Sequence, residues 1–462
     1  MGVAVSNWRL ARAVSQLGHL GTVSGVAVDS VLVRRLQLGD EGGHMRRALG
    51  AFPVPEVGQW IVDKYYVPGG KHGERLTQTS MKRDKPSRHT EDLMVAAGFV
   101  EVWLAKEGHD GLVGVNHLEK VQATTLPLLY GAMLAGADYV VIGAGIPKTI
   151  PAVLDKLAAG EPVELRIDVK GATAEDNFRT RFDPTEMMRG ELPALNRPQF
   201  LGIVSSHVLA TMLATKIEVP VDGFIIEAPT AGGHNAPPRG KLRLDEAGEP
   251  IYGERDVPDL DVIRDLGLPF WLAGGWATPE RIHEALDLGA AGVQVGTAFA
   301  YTDESGFESE IKRRVIELSR QSKVHVFTDP VASPSGFPFK VVTLEGTLSE
   351  EAVYENRRRV CELGYLRNAY RRDDGKMGWR CAAEPVDVYI GKGGDEKDTV
   401  GRKCLCSALL ANVGLPQVPR EGGVEPTLIT SGDDVAEVTR FLPEGADSFT
   451  AADVVRYLLP EG

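Results

Sequence analysis

Short apolar runs ending on Gly, Ser, Asn or Glu recur to about residue 300 and alternate with stretches of helical spacing. Trp8, Leu10, Ala11, Val14 and Leu17 predict a helix over 6–18, with Ser6 as cap and Gly18 as stop. A short strand follows at 19–24, then a helix near 31–38. Residues 42–88, rich in Gly, Pro and charge, read as a long irregular excursion with some helix near 57–66. Thr90 opens a further helix, carrying Leu93, Ala97, Val100 and Leu104 on one face and stopping at Gly108. The alternation then becomes regular. Strands are predicted at 112–116, 139–143, 200–205, 223–227, 269–275 and 292–296, and helices at 125–134, 150–159, 208–216 and 279–288. Within the series, 163–169 and 178–182 read as a β-hairpin, an insertion spanning about 163–198.

Strands alternating with helices at this spacing imply parallel βαβ units. No glycine fingerprint of the dinucleotide kind follows the first strand, which argues against an open doubly wound sheet. The expected fold is therefore α/β, a (β/α)8 TIM barrel over 1–300 with the hairpin insertion, and a C-terminal extension over 301–462 packing on it. Seven barrel strands are recognisable. The eighth belongs before the helix at 6–18, so either it lies upstream of Met1 or Met1–Val5 is its remnant.

Composition narrows the partners. The chain has 462 residues, 43% of them hydrophobic, ample for a large core. Its net charge of -13, without a basic stripe, disfavours nucleic acid as a partner. No apolar stretch approaches the ~20 residues that span a bilayer, and the N-terminus lacks the layout of a secretory signal. A cytoplasmic enzyme is the expectation, with no membrane partner. Four cysteines, Cys361, Cys381, Cys404 and Cys406, all fall in the last quarter. Their spacing is not that of a zinc ribbon, so no metal site is expected and they read as small core residues.

Candidate chemistry gathers at strand ends. In GFIIEAPTAGGHNAPPRG, residues 223–240, an apolar strand runs into Glu227, then a loop with Gly232, Gly233 and His234. Missing Cβ atoms beside a histidine let a flat ligand approach. His234 can act as a base or hydrogen-bond a substrate oxygen, and the bland alternative is a loop histidine satisfying a carbonyl. Glu227 either orients that loop or faces solvent at the barrel mouth. Two later segments, Leu272–Trp276 and Gln294–Ala298, put Gly274 and Gly275, then Gly296 and Thr297, at the ends of consecutive late strands. Loops after the last barrel strands commonly hold a phosphate.

AGGH at 231–234, LAGGWATPERIHEALDLGAAGVQVGTAF at 272–299 and GVN at 114–116 together resemble the nitronate monooxygenase (2-nitropropane dioxygenase) family. These are FMN-dependent (β/α)8 barrels related to flavin-dependent enoyl reductases. The resemblance covers about residues 1–300 and implies FMN as cofactor. It implies a catalytic role for His234, a phosphate cradle of Gly274, Gly275, Gly296 and Thr297, and Gly232 and Gly233 making room for the ring. It also places Asn116, Met1 and Gly2 beside the flavin. A lysine that some members offer after the fifth strand has no counterpart here, where Ser205, Ser206 and His207 stand, and Ser205 is taken as the cofactor contact in its place. The implied activity is oxidation of alkyl nitronates with oxygen. Two alternatives stay open: an NAD(P)H-dependent reductase of enoyl thioesters or quinones on the same barrel, and a non-catalytic flavin-barrel module. Partners expected are the small-molecule substrate, NAD(P)H under the reductase alternative, and a second copy of the chain.

Overall fold

A computed structural model describes residues 2–418 and 423–460. Its centre is a seven-stranded, wholly parallel sheet whose spatial order follows the chain. The strands are β1 (Gly21–Ser24), β2 (Val113–Leu118), β3 (Tyr139–Gly143), β4 (Gln199–Val204), β5 (Gly223–Glu227), β6 (Phe270–Ala273) and β7 (Gly292–Gln294). Each pairs only with its neighbours in sequence, as in Ser24 opposite Asn116 and Glu227 opposite Ala273. Consecutive parallel strands joined by helices are the winding of a β/α barrel.

The closed eight-stranded barrel is not what the described residues form. No pairing joins β1 to β7, and the sheet is a half-barrel with a seam between them. The expectation that Met1–Val5 is a strand remnant needs correction as well: Met1 lies outside the described residues, and Val3–Val5 form a buried turn. Ala4 has φ +53, a left-handed conformation incompatible with an extended strand. The turn is tied down by Val5 N–H to Gly2 O at 3.2 Å and Gly306 N–H to Val5 O at 2.8 Å.

Helix boundaries shift for identifiable reasons. The first helix is Trp8–Gln16, capped by the Asn7 carboxamide oxygen, which accepts from Arg9 and Leu10 N–H at 2.8 and 3.0 Å. Ser6, the expected cap, instead donates its hydroxyl to Thr22 O at 2.5 Å and pins the chain to β1. The excursion over 42–88 holds two helices, His44–Gly50 and Pro55–Tyr65. Both pack on the long helix Arg88–Lys106, whose cap is the Ser87 hydroxyl. That helix is buried on nearly every face, so its apolar pattern runs almost all round.

Beyond β3, Val163–Arg166 and Arg179–Phe182 pair antiparallel, and Val169–Lys170 joins Asn368–Arg371 in parallel. Residues 301–462 thus share a sheet with the excursion after β3. They also supply a hairpin, Val326–Asp329 with Phe339–Val342, and helices Ser309–Arg320, Leu405–Ala411 and Ala451–Leu458. One apolar cluster mixes Val5, Ala277 and Ala298 with Val342, Ile429 and Phe449, so the two parts of the chain bury a common core. No helix among the described residues is long and apolar enough to cross a membrane.

Candidate active site

The C-terminal ends of the strands open into one cavity of about 660 Å3, within the ~300–1,000 Å3 usual for ligand sites. β5 delivers Glu227 to its wall, and the loop after it delivers Gly232, Gly233 and His234. The loop is fixed at its start by Ala228 N–H to Ala273 O at 3.0 Å. It is fixed at its end by the extension. Lys340 N–H reaches Gly233 O at 2.9 Å, Asn235 N–H reaches Pro338 O at 2.9 Å, and Gly233 N–H donates to the Thr430 hydroxyl at 2.9 Å.

His234 therefore sits between two parts of the fold. Its Nε2 shares a hydrogen bond of 2.7 Å with Ser333 Oγ, and its ring meets Phe339 edge-on at 4.9 Å. Phe339 is 2% exposed, so the imidazole rests on a fixed apolar surface. Burial lowers the His234 pKa to about 4 and raises that of Glu227 to about 7. At neutral pH the imidazole is uncharged, and Glu227 lies near its own midpoint. A neutral imidazole and a poised carboxyl lining one cavity constitute a set of proton-transfer groups.

The glycines serve unlike purposes. A Cβ on Gly232 would come within 2.7 Å of Gly432 N and the Ser431 carbonyl carbon. Its space is taken by the extension's backbone, which corrects the expectation that Gly232 makes room for a ligand ring. Gly233, φ +86, has nothing within 4 Å of that position and stays open. Gly274, φ +85, admits the loop itself, because a Cβ there would meet Thr230 Oγ1 at 2.9 Å and Ala231 N at 3.0 Å. Gly275 and Gly296 are free on the cavity side, Gly296 with nothing within 4 Å. Thr297 Oγ1 accepts from Gly432 N–H at 3.0 Å, so the loop of the extension is bonded to this cradle.

These open positions are the observation on which a flavin's fit is tested. Two glycines from successive strand ends leave an accessible backbone pocket of the kind a phosphate occupies. One carboxylate, Asp434, lies 3.8 Å from where a Gly275 Cβ would be. Burial raises its pKa. The residues fit the group.

Gly2 and Asn116 also line the cavity, Asn116 with its side-chain amide donating to Val141 O at 3.0 Å. Met1 lies outside the described residues. Ser205 does not reach the cavity lining; its carbonyl accepts from Arg239 Nη2 at 3.3 Å on the outer rim. His207 is turned away too, its Nδ1 accepting from Asp259 N–H at 3.1 Å.

Sequence reasoning missed every wall residue supplied by the extension. Ser333, Phe339, Thr430, Ser431 and Tyr365 all line the cavity or hold its loop. Tyr365 is anchored by its hydroxyl donating to Asp29 Oδ1 at 2.5 Å, and Lys82 pairs with the same buried carboxylate. The S-P-S-G turn at 333–336, placed between two strand-like runs, is the one local signal that could have marked one of these segments as a loop.

Residues 191–335 match the family model described as nitronate monooxygenase. That span holds the His234 loop, both glycine pairs and Ser333. The chain is 28% identical over 288 residues to the (3aS,4S,5R,7aS)-5-hydroxy-7a-methyl-1-oxo-octahydro-1H-indene-4-carboxyl-CoA dehydrogenase of Mycobacterium tuberculosis, covering 58% of this chain and 74% of that protein. It is 34% identical over 98 residues to a protein of Staphylococcus haemolyticus named "Probable nitronate monooxygenase", covering 21% of this chain and 26% of the other. Among solved structures, the nitroalkane oxidase of Streptomyces ansochromogenes aligns at 15% identity and a TM-score of 0.46, over 99% of this chain and 92% of that one.

Proposed function

We infer that this chain, a flavin-dependent oxidoreductase whose residues 191–335 match the nitronate monooxygenase family model, uses FMN to oxidise an alkyl nitronate or similarly stabilised carbanion with oxygen. The observation that carries the reading is His234, neutral and fixed between Ser333 and Phe339 on the wall of a cavity that the glycine cradle also lines. When bound, FMN supplies the electron acceptance and the reaction with oxygen.

The chain's own residues position and handle protons. Gly275 and Gly296, with the Thr297 hydroxyl, would hold the phosphate, and Gly233 and Asn116 would lie on the side of the ring. In the tautomer that donates Nε2–H to Ser333, His234 keeps a lone pair on Nδ1. That lone pair can take the carbon proton of the conjugate nitro compound and so form the nitronate in place; a nitronate that enters already deprotonated needs no such transfer. The Phe339 face keeps water from that side of the imidazole. Glu227 is the second proton-handling group. We propose the division of labour that follows: residues 1–300 carry the cofactor, and residues 301–462 close the site over it.

One observation favours a second reading. The relative matched over 74% of its length is a dehydrogenase of an acyl-CoA. On that reading the same His234 faces the carbon beside a thioester, and NAD(P)H or its oxidised form is the exchange partner. Anaerobic mixing distinguishes the two. A nitronate should reduce the bound flavin without pyridine nucleotide; reduction by NADH or NADPH alone, with nitronate inert, would remove the first reading and favour the second. A preparation that binds no flavin at all would contradict both.

A further inference from the structure

All four cysteines of the chain meet at one place. Cys361, Cys381, Cys404 and Cys406 line a single void of about 10 Å3 behind the cavity wall, and none is in a disulfide. They arrive from three separate segments, so their meeting is a product of the tertiary fold. Four small side chains filling an apolar gap would need no polar support. These have it. Arg357, whose side chain is 4% exposed, hydrogen-bonds Cys404 while pairing with Glu425 at 2.6 Å. The Arg367 guanidinium faces Cys361 and Cys381. Burial raises the Cys381 and Cys406 thiols, and backbone hydrogen bonds from Ala383 to Cys381, and from Tyr365 and Leu366 to Cys406, work against that rise. Two carboxylates oppose: Glu384, held by Lys392 at 2.7 Å, and Glu362, which lines the void and pairs with Arg75 at 3.4 Å.

We propose that Cys361, Cys381, Cys404 and Cys406 form a tetrathiolate site for a single soft divalent cation, zinc being the ion this ligand set favours. Amides and guanidinium groups around sulfur are the outer partners such a centre requires. In the present arrangement no three such side chains stand at ligating geometry among the described residues. Binding draws the thiols inward, to about 2.3 Å from the ion, across the void they already share. The exchange balances: four thiols release four protons as the dication enters, leaving a centre of net charge -2 beside Arg357 and Arg367. A void this small suits one ion and not a cubane cluster.

A dithiol redox switch is the weaker use of the same residues. Burial holds the Cys361 thiol up at about 12 and raises Cys381 and Cys406 as well, the opposite of a reactive thiolate. Leu366, Leu405 and Cys406 line both this void and the large cavity. The ion would staple three segments of the extension into the wall of the flavin site.

The test uses the full chain, purified from zinc-supplemented cells and passed through EDTA-containing buffer. Elemental analysis should find about one zinc per chain, whether or not flavin is bound. Cobalt exchanged into the wild-type protein should give the intense visible bands of a tetrahedral thiolate centre. The double variant Cys404→Ser, Cys406→Ser should hold none and melt at a lower temperature. If it does not fold, Cys361→Ser with a shifted cobalt spectrum carries the same information. Wild-type protein without bound zinc, zinc undiminished in the folded double variant, or iron with inorganic sulfide in place of zinc would each overturn the proposal.

Discussion

The chemistry narrows to two side chains with opposed displacements. Burial makes His234 a poorer base than a free imidazole and Glu227 a poorer acid than a free carboxyl, so their usual order is reversed: Glu227 holds its proton up to about 7 and His234 only up to about 4. His234→Ala is expected to leave flavin bound and cut kcat by about 10²–10⁴, the usual worth of a positioned proton acceptor; unaltered kcat would remove His234 from the mechanism. The pH profile belongs to the other residue. His234 stays neutral down to about 4, so it contributes no limb near neutrality. Glu227, protonated below about 7 and ionised above, does. If the ionised form assists, kcat/KM rises with pH through about 7, and Glu227→Gln flattens that rise. A limb unmoved in Glu227→Gln would assign it elsewhere. His234 was legible from its glycine flanks. The neutral state was not, because it depends on Phe339 and Ser333, about a hundred residues away.

At the scale of elements, the strand ends do the positioning. Gly296 has φ -115 and free space on the cavity side, so a side chain is accommodated there without backbone strain. Gly296→Val should fold normally and weaken FMN binding by tenfold or more, about 1.4 kcal/mol; equilibrium dialysis checks it, and undiminished affinity would place the phosphate elsewhere. The Phe339–Val342 strand acts from the opposite side. Phe339→Ala should cost about 3–5 kcal/mol of stability, as for a buried aromatic. It should also raise the His234 pKa by letting water in, readable by NMR titration of the ring. The strands β1–β7 were readable because each is a short apolar run between breakers. The helix cap at Asn7 was not, since Ser6 and Asn7 are both good caps and only the Thr22 carbonyl decides between them. Gly232 misled for a related reason: a missing Cβ shows that something approaches, and not what.

For the whole molecule, the sheet is a half-barrel whose site is completed by the extension. A chain cut after residue 300 loses Phe339, Thr430 and the Val342, Ile429 and Phe449 share of the common core. It should lack cooperative unfolding and bind no flavin, which near-ultraviolet circular dichroism and absorbance would show; a soluble, yellow fragment would contradict the shared core as a requirement for folding and flavin binding. This wall could not be read from local pattern, because its contacts join residues 230–235 to 333–340 and 430–432, far apart in sequence. The seam between β1 and β7 likewise replaced a closed barrel that strand counting favoured.

The central claim is that this cavity binds flavin and passes it electrons from a carbanion-like substrate beside His234. The most direct measurement is the absorbance of the purified protein under nitrogen during titration with an alkyl nitronate, then with NADH. The account predicts a flavin spectrum that bleaches on nitronate addition and stays unchanged with NADH alone. Rapid bleaching by NADH with no response to nitronate, or a colourless protein that takes up no FMN, would contradict it.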